Sequence, residues 1–193
     1  MTTRRDLRSP ETWKSATRAG SEKAAQRFRQ WQDGGGEEYL DVPYCQLTEL
    51  PTELGQLTNL THFDCTNNQL QELPAKLGKL TALTYFSCYN NQLQTLPTEL
   101  GKLMNLTFFY CENNQLQTLP AELGQLTNLM FFYCNNNRLQ TLPTELGQAT
   151  ALMYFRFYGN PLPANVLAAR TLDQLRDAIA ENWGNRYVKA ARA

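Results

Sequence analysis

The sequence predicts an α/β solenoid: a curved right-handed superhelix of stacked coils, with a parallel β-sheet on its concave face and a helical cap at each end. The first supporting observation is a segment, residues 60–74, that recurs at 83–97, 106–120 and 129–143, a spacing of 23 residues. The second is a short apolar–polar–apolar stretch of strand type inside each copy, and the third is a pair of helical patterns flanking the copies. Such repeats stack because one unit alone cannot bury its apolar face.

The repeat pattern divides the chain into three parts. Residues 37–163 hold about six units of 23 residues, of which the first, from Tyr39, is degenerate and the last stops near Pro163. We expect residues 1–36 to form an N-terminal helical cap and residues 164–193 a C-terminal one. A bare terminal repeat would expose the apolar core to water.

We expect two helices in the N-terminal cap. The segment Ser9–Glu11 offers a hydroxyl cap, a proline at the first helical position and an acid beside the helix dipole, which predicts a helix to about Arg18 that stops at Gly20. A second helix is expected to begin at Ser21 and to end at the glycines that start with Gly34. It carries one apolar stripe that suits the open edge of the first repeat: Ala24, Phe28 and Trp31.

Within each repeat, the pattern predicts a strand, a sharp turn and a short 3₁₀ or helical segment. Phe63–Cys65 shows strand alternation, and later copies repeat it. Leu54, Leu57 and Leu60 recur at intervals of three, as a 3₁₀ turn requires on one face. Some 20 residues separate successive strands, so these strands cannot pair as hairpins and should stack in parallel.

The C-terminal cap is predicted from two helical patterns. Val166 opens a short apolar piece. Thr171–Gln174 then reads as a capping box that opens a helix from Leu172 to Asn182.

Charge and composition exclude several function classes. The chain has equal numbers of acidic and basic side chains, 18 of each, but residues 37–163 carry eleven acids against five bases. An acidic repeat body argues against nucleic-acid binding, which depends on clustered Lys and Arg. We find no apolar run of about 18 residues, so we expect no membrane span. Five cysteines without paired short spacing predict a reduced, cytoplasmic protein; export without a cleavable signal stays open.

The residue types that carry enzyme chemistry are few and scattered. His62 is the single histidine, predicted to be ordinary surface, so no multi-histidine metal site can form and a catalytic triad would have to be built on it. The glycines at 34–36 follow a helix instead of joining a strand to one, so they are no phosphate loop. We therefore expect no enzyme and no cofactor.

Two inward columns are interpreted as structural: Cys65, Cys88, Cys111 and Cys134 as small apolar core residues, and Asn68, Asn91, Asn114, Asn137 and Asn160 as amides that satisfy the turn backbone.

The outward side of the predicted strands is unusually aromatic. Alternation places three residues of each repeat on one surface, and nothing in the repeat requires aromatic rings there. Exposed apolar patches with Tyr and Arg are typical of binding sites, although cross-strand packing alone is the simpler alternative. The predicted partner-binding residues are Tyr85, Tyr89, Phe108, Tyr110, Glu112, Phe131, Tyr133, Asn135, Tyr154, Arg156 and Tyr158.

The repeat resembles a known family. The pattern Leu-x-x-Phe-x-Cys-x-x-Asn-x-Leu-x-x-Leu-Pro-x-x-Leu-Gly-x-Leu-x-x-Leu is similar to the 23-residue class of leucine-rich repeats, over residues 39–163. Phe and Cys replace the two usual strand leucines, a swap that keeps core volume roughly constant. The flanks are similar to the helical caps of bacterial members.

The resemblance implies a non-enzymatic module that binds a partner protein through its concave face. Two alternatives stay open. Similar arrays precede ubiquitin-ligase domains in some secreted bacterial effectors, but those ligases need a catalytic Cys beyond the repeats and none follows Cys134 here. Aromatic rings also stack on sugars, and Asp64, Asn135 and Arg156 could serve as polar fingers of a sugar site. We expect a monomer, with self-association through the aromatic surface left open.

Overall fold

The computed structural model describes residues 7–35, 38–169, 173–175 and 177–178. Within them, six three-residue strands form one parallel sheet whose spatial order follows the chain. Each strand pairs with the equivalent strand of the next repeat, in a register shifted by 23 residues, as Phe63 with Phe86. The predicted solenoid with parallel strands is therefore confirmed. The strands are β1 (Tyr39–Asp41), β2 (His62–Asp64), β3 (Tyr85–Ser87), β4 (Phe108–Tyr110), β5 (Phe131–Tyr133) and β6 (Tyr154–Arg156).

The segment opposite each strand is a 3₁₀ helix, as the leucine spacing predicts. The Leu57 amide donates to the Leu54 carbonyl at 3.0 Å, and the Leu60 amide to the Leu57 carbonyl at 2.9 Å. This i→i−3 ladder turns all three leucines inward, where they are buried. The five-residue 3₁₀ helices are Thr52–Gln56, Ala75–Lys79, Thr98–Lys102, Ala121–Gln125 and Thr144–Gln148.

The core runs between these two layers through the whole solenoid. Phe and Cys take the inward strand positions, and the phenyl rings stack: the centroids of Phe86 and Phe109 lie 5.5 Å apart at an interplanar angle of 7°. Phe109 and Phe132 repeat this arrangement at 5.3 Å. Dispersion and burial of these side chains supply most of the favourable free energy of folding.

The asparagine column satisfies the turn backbone, as predicted. The Asn114 amide nitrogen donates to the carbonyls of Cys88 and Cys111, each at 3.1 Å, and its oxygen accepts from the Leu93 amide at 3.0 Å. The amide thus ties two successive coils together from inside. In the first repeat Cys45 takes this column's place, and its amide donates to the oxygen of Asn68 at 3.0 Å.

The prediction of a helix from Ser9 to Arg18 is wrong. The capping pattern yields only a 3₁₀ turn, Pro10–Thr12. Beyond it the chain is extended, because Ser15 forms an antiparallel bridge with Leu47 at the edge of the first repeat. This pairing satisfies the backbone groups that a helix would otherwise use.

Helix α1 (Arg18–Asp33) begins three residues earlier than expected and runs through Gly20 instead of starting after it. Thr17 caps it, and its hydroxyl accepts from the Gly20 amide at 3.1 Å. Gly20 is needed because an added methyl would collide with Ser15 and with the carbonyl of Cys45. The expected apolar stripe packs on the core: Ala24, Ala25 and Phe28 are buried and Trp31 is partly buried.

At the other end, helix α2 (Ala164–Leu167) overlaps the short piece expected from Val166 and begins two residues earlier. Residues 173–175 and 177–178 are helical, and Leu175 and Ala178 are buried. The remainder of the helix predicted from Leu172 to Asn182, including its first two capping-box residues, lies outside the described residues. Among the described residues, no helix is long and apolar enough to span a bilayer.

Candidate interaction surface

The side chains that point away from the core on β1–β6 form one surface, which we call the aromatic face. Its first column holds the residue that opens each strand, and these rings contact one another from strand to strand. Centroids of Phe108 and Phe131 are 4.8 Å apart, and those of Phe131 and Tyr154 are also 4.8 Å apart, with nearly parallel planes. The in-register pairing of parallel strands places equivalent side chains one inter-strand spacing apart, which suits ring stacking.

The second column holds the third residue of each strand. Tyr110 and Tyr133 lie 5.0 Å apart between centroids, and Tyr110 also meets the edge of Tyr85 at 5.5 Å. At the end of the column the Arg156 guanidinium lies 4.4 Å from the centroid of the Tyr133 ring, a cation–π contact. Both columns are thus ordered by their own contacts before any partner arrives.

The predicted site residues differ in exposure. Tyr154, Arg156 and Tyr158 are exposed. The central members of the set are half-buried because they lie against neighbouring side chains: Tyr85, Tyr89, Phe108, Tyr110, Glu112, Phe131 and Tyr133. Asn135 differs, since it is only 5% exposed. The alternation of residues in the sequence predicts that Asn135 points outward, but it does not predict that neighbouring residues bury it.

Glu112 is an unusual residue to find among these rings. Its Oε2 atom is buried and forms no hydrogen bond within the described residues. Burial raises the pKa of this carboxyl, against the opposing effects of its own backbone amide and of the Arg156 charge. Burial is also the main cause that raises the pKa of Tyr110, and it raises the pKa of Tyr85 to about 12. Tyr85 and Tyr110 therefore stay protonated and neutral at physiological pH.

The aromatic face extends further than the sequence predicted. His62 is not ordinary surface: its ring stacks on Tyr85 with centroids 3.9 Å apart at an angle of 3°, and it lies 5.1 Å from the Tyr39 ring. Its Nε2 atom is 3.6 Å from Oδ1 of Asp41. The sequence places His62 in the outward column with the aromatic residues of the other repeats, but alternation does not reveal that its ring stacks on theirs.

The cysteine column lies on the core side of the strands, beneath the aromatic face, where its thiols are not exposed to reagents. All five cysteines are free and buried. Burial raises the pKa of the thiols of Cys65, Cys88, Cys111 and Cys134 above the usual range, so the reactive thiolate is scarce. Within the described part of the chain, no group of three His, Cys, Asp or Glu side chains is arranged to hold a metal ion.

Stacked 23-residue coils with a parallel sheet, a 3₁₀ layer and an internal asparagine ladder define a leucine-rich-repeat solenoid. A family model described as a leucine-rich repeat region matches residues 75–177, which is 103 of the 193 residues. The chain belongs to the leucine-rich repeat family, so the resemblance seen in the sequence is confirmed. The bacterial type of its caps stays a prediction.

Solved structures of the same fold come from plants and bacteria. The ectodomain of the membrane receptor kinase GASSHO1/SCHENGEN3 from Arabidopsis thaliana, in complex with CASPARIAN STRIP INTEGRITY FACTOR 2, is 32% identical over 59% of this chain, with a TM-score of 0.56. The BIR3–SERK2 complex from the same plant gives 25% identity, 65% coverage of this chain and 69% of the matched one, and a TM-score of 0.54. A leucine-rich repeat protein of Leptospira interrogans gives 25% identity, 87% coverage and a TM-score of 0.50.

These matches cover the other proteins unevenly. The chain spans 14% of the GASSHO1/SCHENGEN3 ectodomain and half of the Leptospira protein. No curated protein matches the chain.

Proposed function

We propose that this protein is a non-enzymatic module that binds a partner protein through the aromatic face. The observation that carries the proposal is the ordered pair of aromatic columns on β3–β6, which the repeat does not need for its own core. The core of β3–β5 lies beneath these columns, since the inward Phe and Cys side chains of those repeats are buried, and Phe155 and Phe157 of the last repeat are partly buried. Tyrosine and arginine are also the residue types that dominate binding energy at protein interfaces.

The solved relatives support the same kind of function. The GASSHO1/SCHENGEN3 ectodomain was solved with CASPARIAN STRIP INTEGRITY FACTOR 2 bound, and the BIR3 structure is a complex with SERK2. Both structures are therefore complexes of a chain of similar fold with a second molecule. By this analogy the present chain binds a polypeptide too.

The rigidity of the face favours binding as well. Ring-on-ring contacts and the cation–π contact of Arg156 hold the side chains in place before association. Side chains that are already ordered lose less conformational entropy on binding. The aromatic contacts therefore serve both alternatives considered for the sequence, internal packing and recognition.

The test is an affinity pull-down from a lysate of the source cells with three proteins. They are the wild type, Tyr110→Glu with Tyr133→Glu, and the matched control Met104→Glu with Thr127→Glu. The control pair adds the same charge at equivalent positions of the same two repeats, but in the exposed turns after the 3₁₀ helices. Circular dichroism and thermal unfolding check that all three proteins fold.

We expect the control to recover the same partner as the wild type and the folded tyrosine variant to lose it. Equal recovery by all three would overturn the proposal and direct attention to the N-terminal cap. Recovery of a glycan-bearing partner that free sugar displaces would replace protein recognition with sugar recognition. The two rings pack against Tyr85, Arg156 and each other, so their loss also removes packing. If the tyrosine variant unfolds, Phe131→Ser serves as the milder variant.

A further inference from the structure

Charge on the aromatic face is distributed unevenly along the sheet. Asp41 and Asp64 are register partners at the β1–β2 end, where they occupy the second column. The same column ends in Arg156 on β6. Glu112 follows β4, so the face carries three carboxylates and one guanidinium.

The charges near β4–β6 compensate one another. The Arg156 charge favours the ionised form of Glu112, and the guanidinium forms a cation–π contact with the Tyr133 ring. This half of the face thus holds one acidic and one basic group, although among the described residues Glu112 and Arg156 form no ion pair. Their opposite charges balance without a ligand.

The β1–β2 end instead carries two carboxylates. The charges of His62 and Arg27 favour the ionised form of Asp41, while burial and the charge of Asp64 oppose it. His62 Nε2 lies 3.6 Å from Oδ1 of Asp41, but this contact is ionic only when the imidazole is protonated. Arg27 reaches the backbone carbonyl of Asp41, at 3.4 Å, and not its carboxylate. Oδ1 of Asp64 accepts from the Thr66 amide at 2.8 Å, which is a neutral donor. Among the described residues, no Lys or Arg side chain lies within ion-pair distance of either carboxylate.

A buried hydroxyl beside these acids points to a ligand independently. Ser87 is the register partner of Asp64 and follows it in the second column, with its flanking residues Phe86 and Cys88 turned into the core. It is 0% exposed, and its Oγ atom forms no hydrogen bond within the described residues. A contact with Ser87 acts to lower the pKa of the Tyr85 hydroxyl, so the two side chains are neighbours. Buried polar groups in native proteins are nearly always satisfied, so this hydroxyl has an unmet hydrogen bond that a water molecule or a polar group of a ligand would satisfy.

From these charges we propose that the occupant of the aromatic face is an extended basic polypeptide segment, with a Lys or Arg side chain seated at Asp41 and Asp64. This inference rests on the proposed function and adds the chemistry of the partner. The His62 and Tyr85 rings flank the same position, and aromatic faces attract cations. Apolar side chains of the segment then cover Phe108 and Phe131.

The geometry sets the spacing within the partner. The strands β2 and β5 are three inter-strand spacings apart, about 14 Å. A chain crossing the strands in extended form advances about 3.3 Å per residue. The basic residue is therefore expected about four positions from the apolar residues that contact Phe131.

The inference is tested with a phage-displayed library of random 12-residue peptides, selected against four folded proteins. These are the wild type, Asp41→Asn with Asp64→Asn, the control Glu72→Gln with Glu122→Gln, and Tyr110→Glu with Tyr133→Glu. The Asn substitutions keep shape and the acceptor for Thr66, and the control removes the same charge away from the aromatic face. Affinities of the selected synthetic peptides are then measured by fluorescence anisotropy at low and high salt.

We expect wild-type selections to be enriched in Lys or Arg about four positions from Leu, Phe or Tyr. The Asp variant should lose this enrichment and bind the peptides about tenfold more weakly, and the control should match the wild type. Binding that shows no basic preference, or that the Asp variant retains in full, overturns the inference. If such binding is still lost in the tyrosine variant, the proposed function stands. Binding that survives in the tyrosine variant contradicts both, and selection of no peptide overturns an extended segment as the occupant.

Discussion

The Arg156 guanidinium lies over the Tyr133 ring, 4.4 Å from its centroid, and so reaches back from β6 across β5. From there its positive charge favours the ionised form of the Glu112 carboxyl, which follows β4. A single side chain thus couples three successive repeats on the outward side of the sheet. This coupling arises because register pairing brings equivalent positions of adjacent repeats side by side.

The buried carboxylate of Glu112 should make stability depend on pH. Its pKa in the folded protein is raised above the ordinary value of 4.5, mainly by burial, so the ionised form is disfavoured in the fold. The penalty is absent below the ordinary pKa, develops as pH rises through the interval up to the folded-state pKa, and is fully present above it. Glu112→Gln should therefore raise the melting temperature at pH 7 and leave it unchanged at pH 3.5.

Thermal unfolding of wild type and variant at both pH values measures this. Glu72→Gln, at an exposed position, is the matched control and should change nothing at either pH. A Glu112 variant that is less stable than the wild type at pH 7 would show that the carboxylate has a stabilising partner.

The repeat glycines are expected to differ in their tolerance of a methyl group. A methyl added at Gly101 would lie 2.6 Å from both the carbonyl oxygen and Cβ of Glu122 in the next coil. At Gly147, in the last coil, no heavy atom of the described residues lies within 4 Å of the same position. We expect Gly101→Ala to lower the free energy of unfolding by about 3 kcal/mol, and Gly147→Ala to change it by less than about 0.5 kcal/mol.

Urea denaturation of the two variants tests this difference directly. Equal effects would mean that coil spacing does not depend on the missing side chain. A larger effect at Gly147 would show that another segment packs against the last 3₁₀ helix.

Removal of one rung of the asparagine ladder should be costly. Asn114→Ala leaves the Leu93 amide and the carbonyls of Cys88 and Cys111 without this partner inside the solenoid. Unsatisfied buried backbone groups each cost about 1–3 kcal/mol, so we expect a loss of about 3 kcal/mol or more. Gln117→Ala, at an exposed position of the same repeat, is the control and should stay within about 0.5 kcal/mol of the wild type. Chemical denaturation that finds the two variants equally stable would refute the structural role of the column.

The cysteines should react only when the protein opens. The five thiols are buried, and burial raises the pKa of the four that line the sheet. Ellman's reagent at pH 8 should therefore detect almost no thiol in the native protein and all five in denaturant. Prompt reaction of even one native thiol would contradict the packing of the Phe and Cys columns.

The repeat body could be predicted from the sequence because one pattern, written repeatedly, gives strand position, register and inward face together. Phe63 and Cys65 identify the buried side of one strand, and the 23-residue spacing transfers the result to every other coil. The 3₁₀ segments followed from leucines at intervals of three. Local periodicity and tertiary packing agree in a solenoid, since each coil contacts mainly its neighbours.

The predictions from sequence fail where a contact between distant segments, or packing among side chains, outweighs the local conformational preference of the residues. Ser9, Pro10 and Glu11 favour a helix start, but the chain after them pairs with Leu47, which no local pattern reveals. His62 stacks on Tyr85, and Asn135 is covered by its neighbours. Side-chain packing on the outward face determines the position of the His62 ring and the burial of Asn135. The alternation of residues along a strand predicts which side a residue is on, but not how its neighbours cover it.

The most direct test of the central claim is site-specific photo-crosslinking to the captured partner. The photoreactive amino acid p-benzoylphenylalanine replaces either Phe131, on the aromatic face, or Met104, in an exposed turn away from it. After irradiation in the lysate, a crosslinked adduct is detected by its shift on a denaturing gel. We expect an adduct from position 131 and none from position 104. An adduct from position 104 with none from position 131 would contradict binding through the aromatic face.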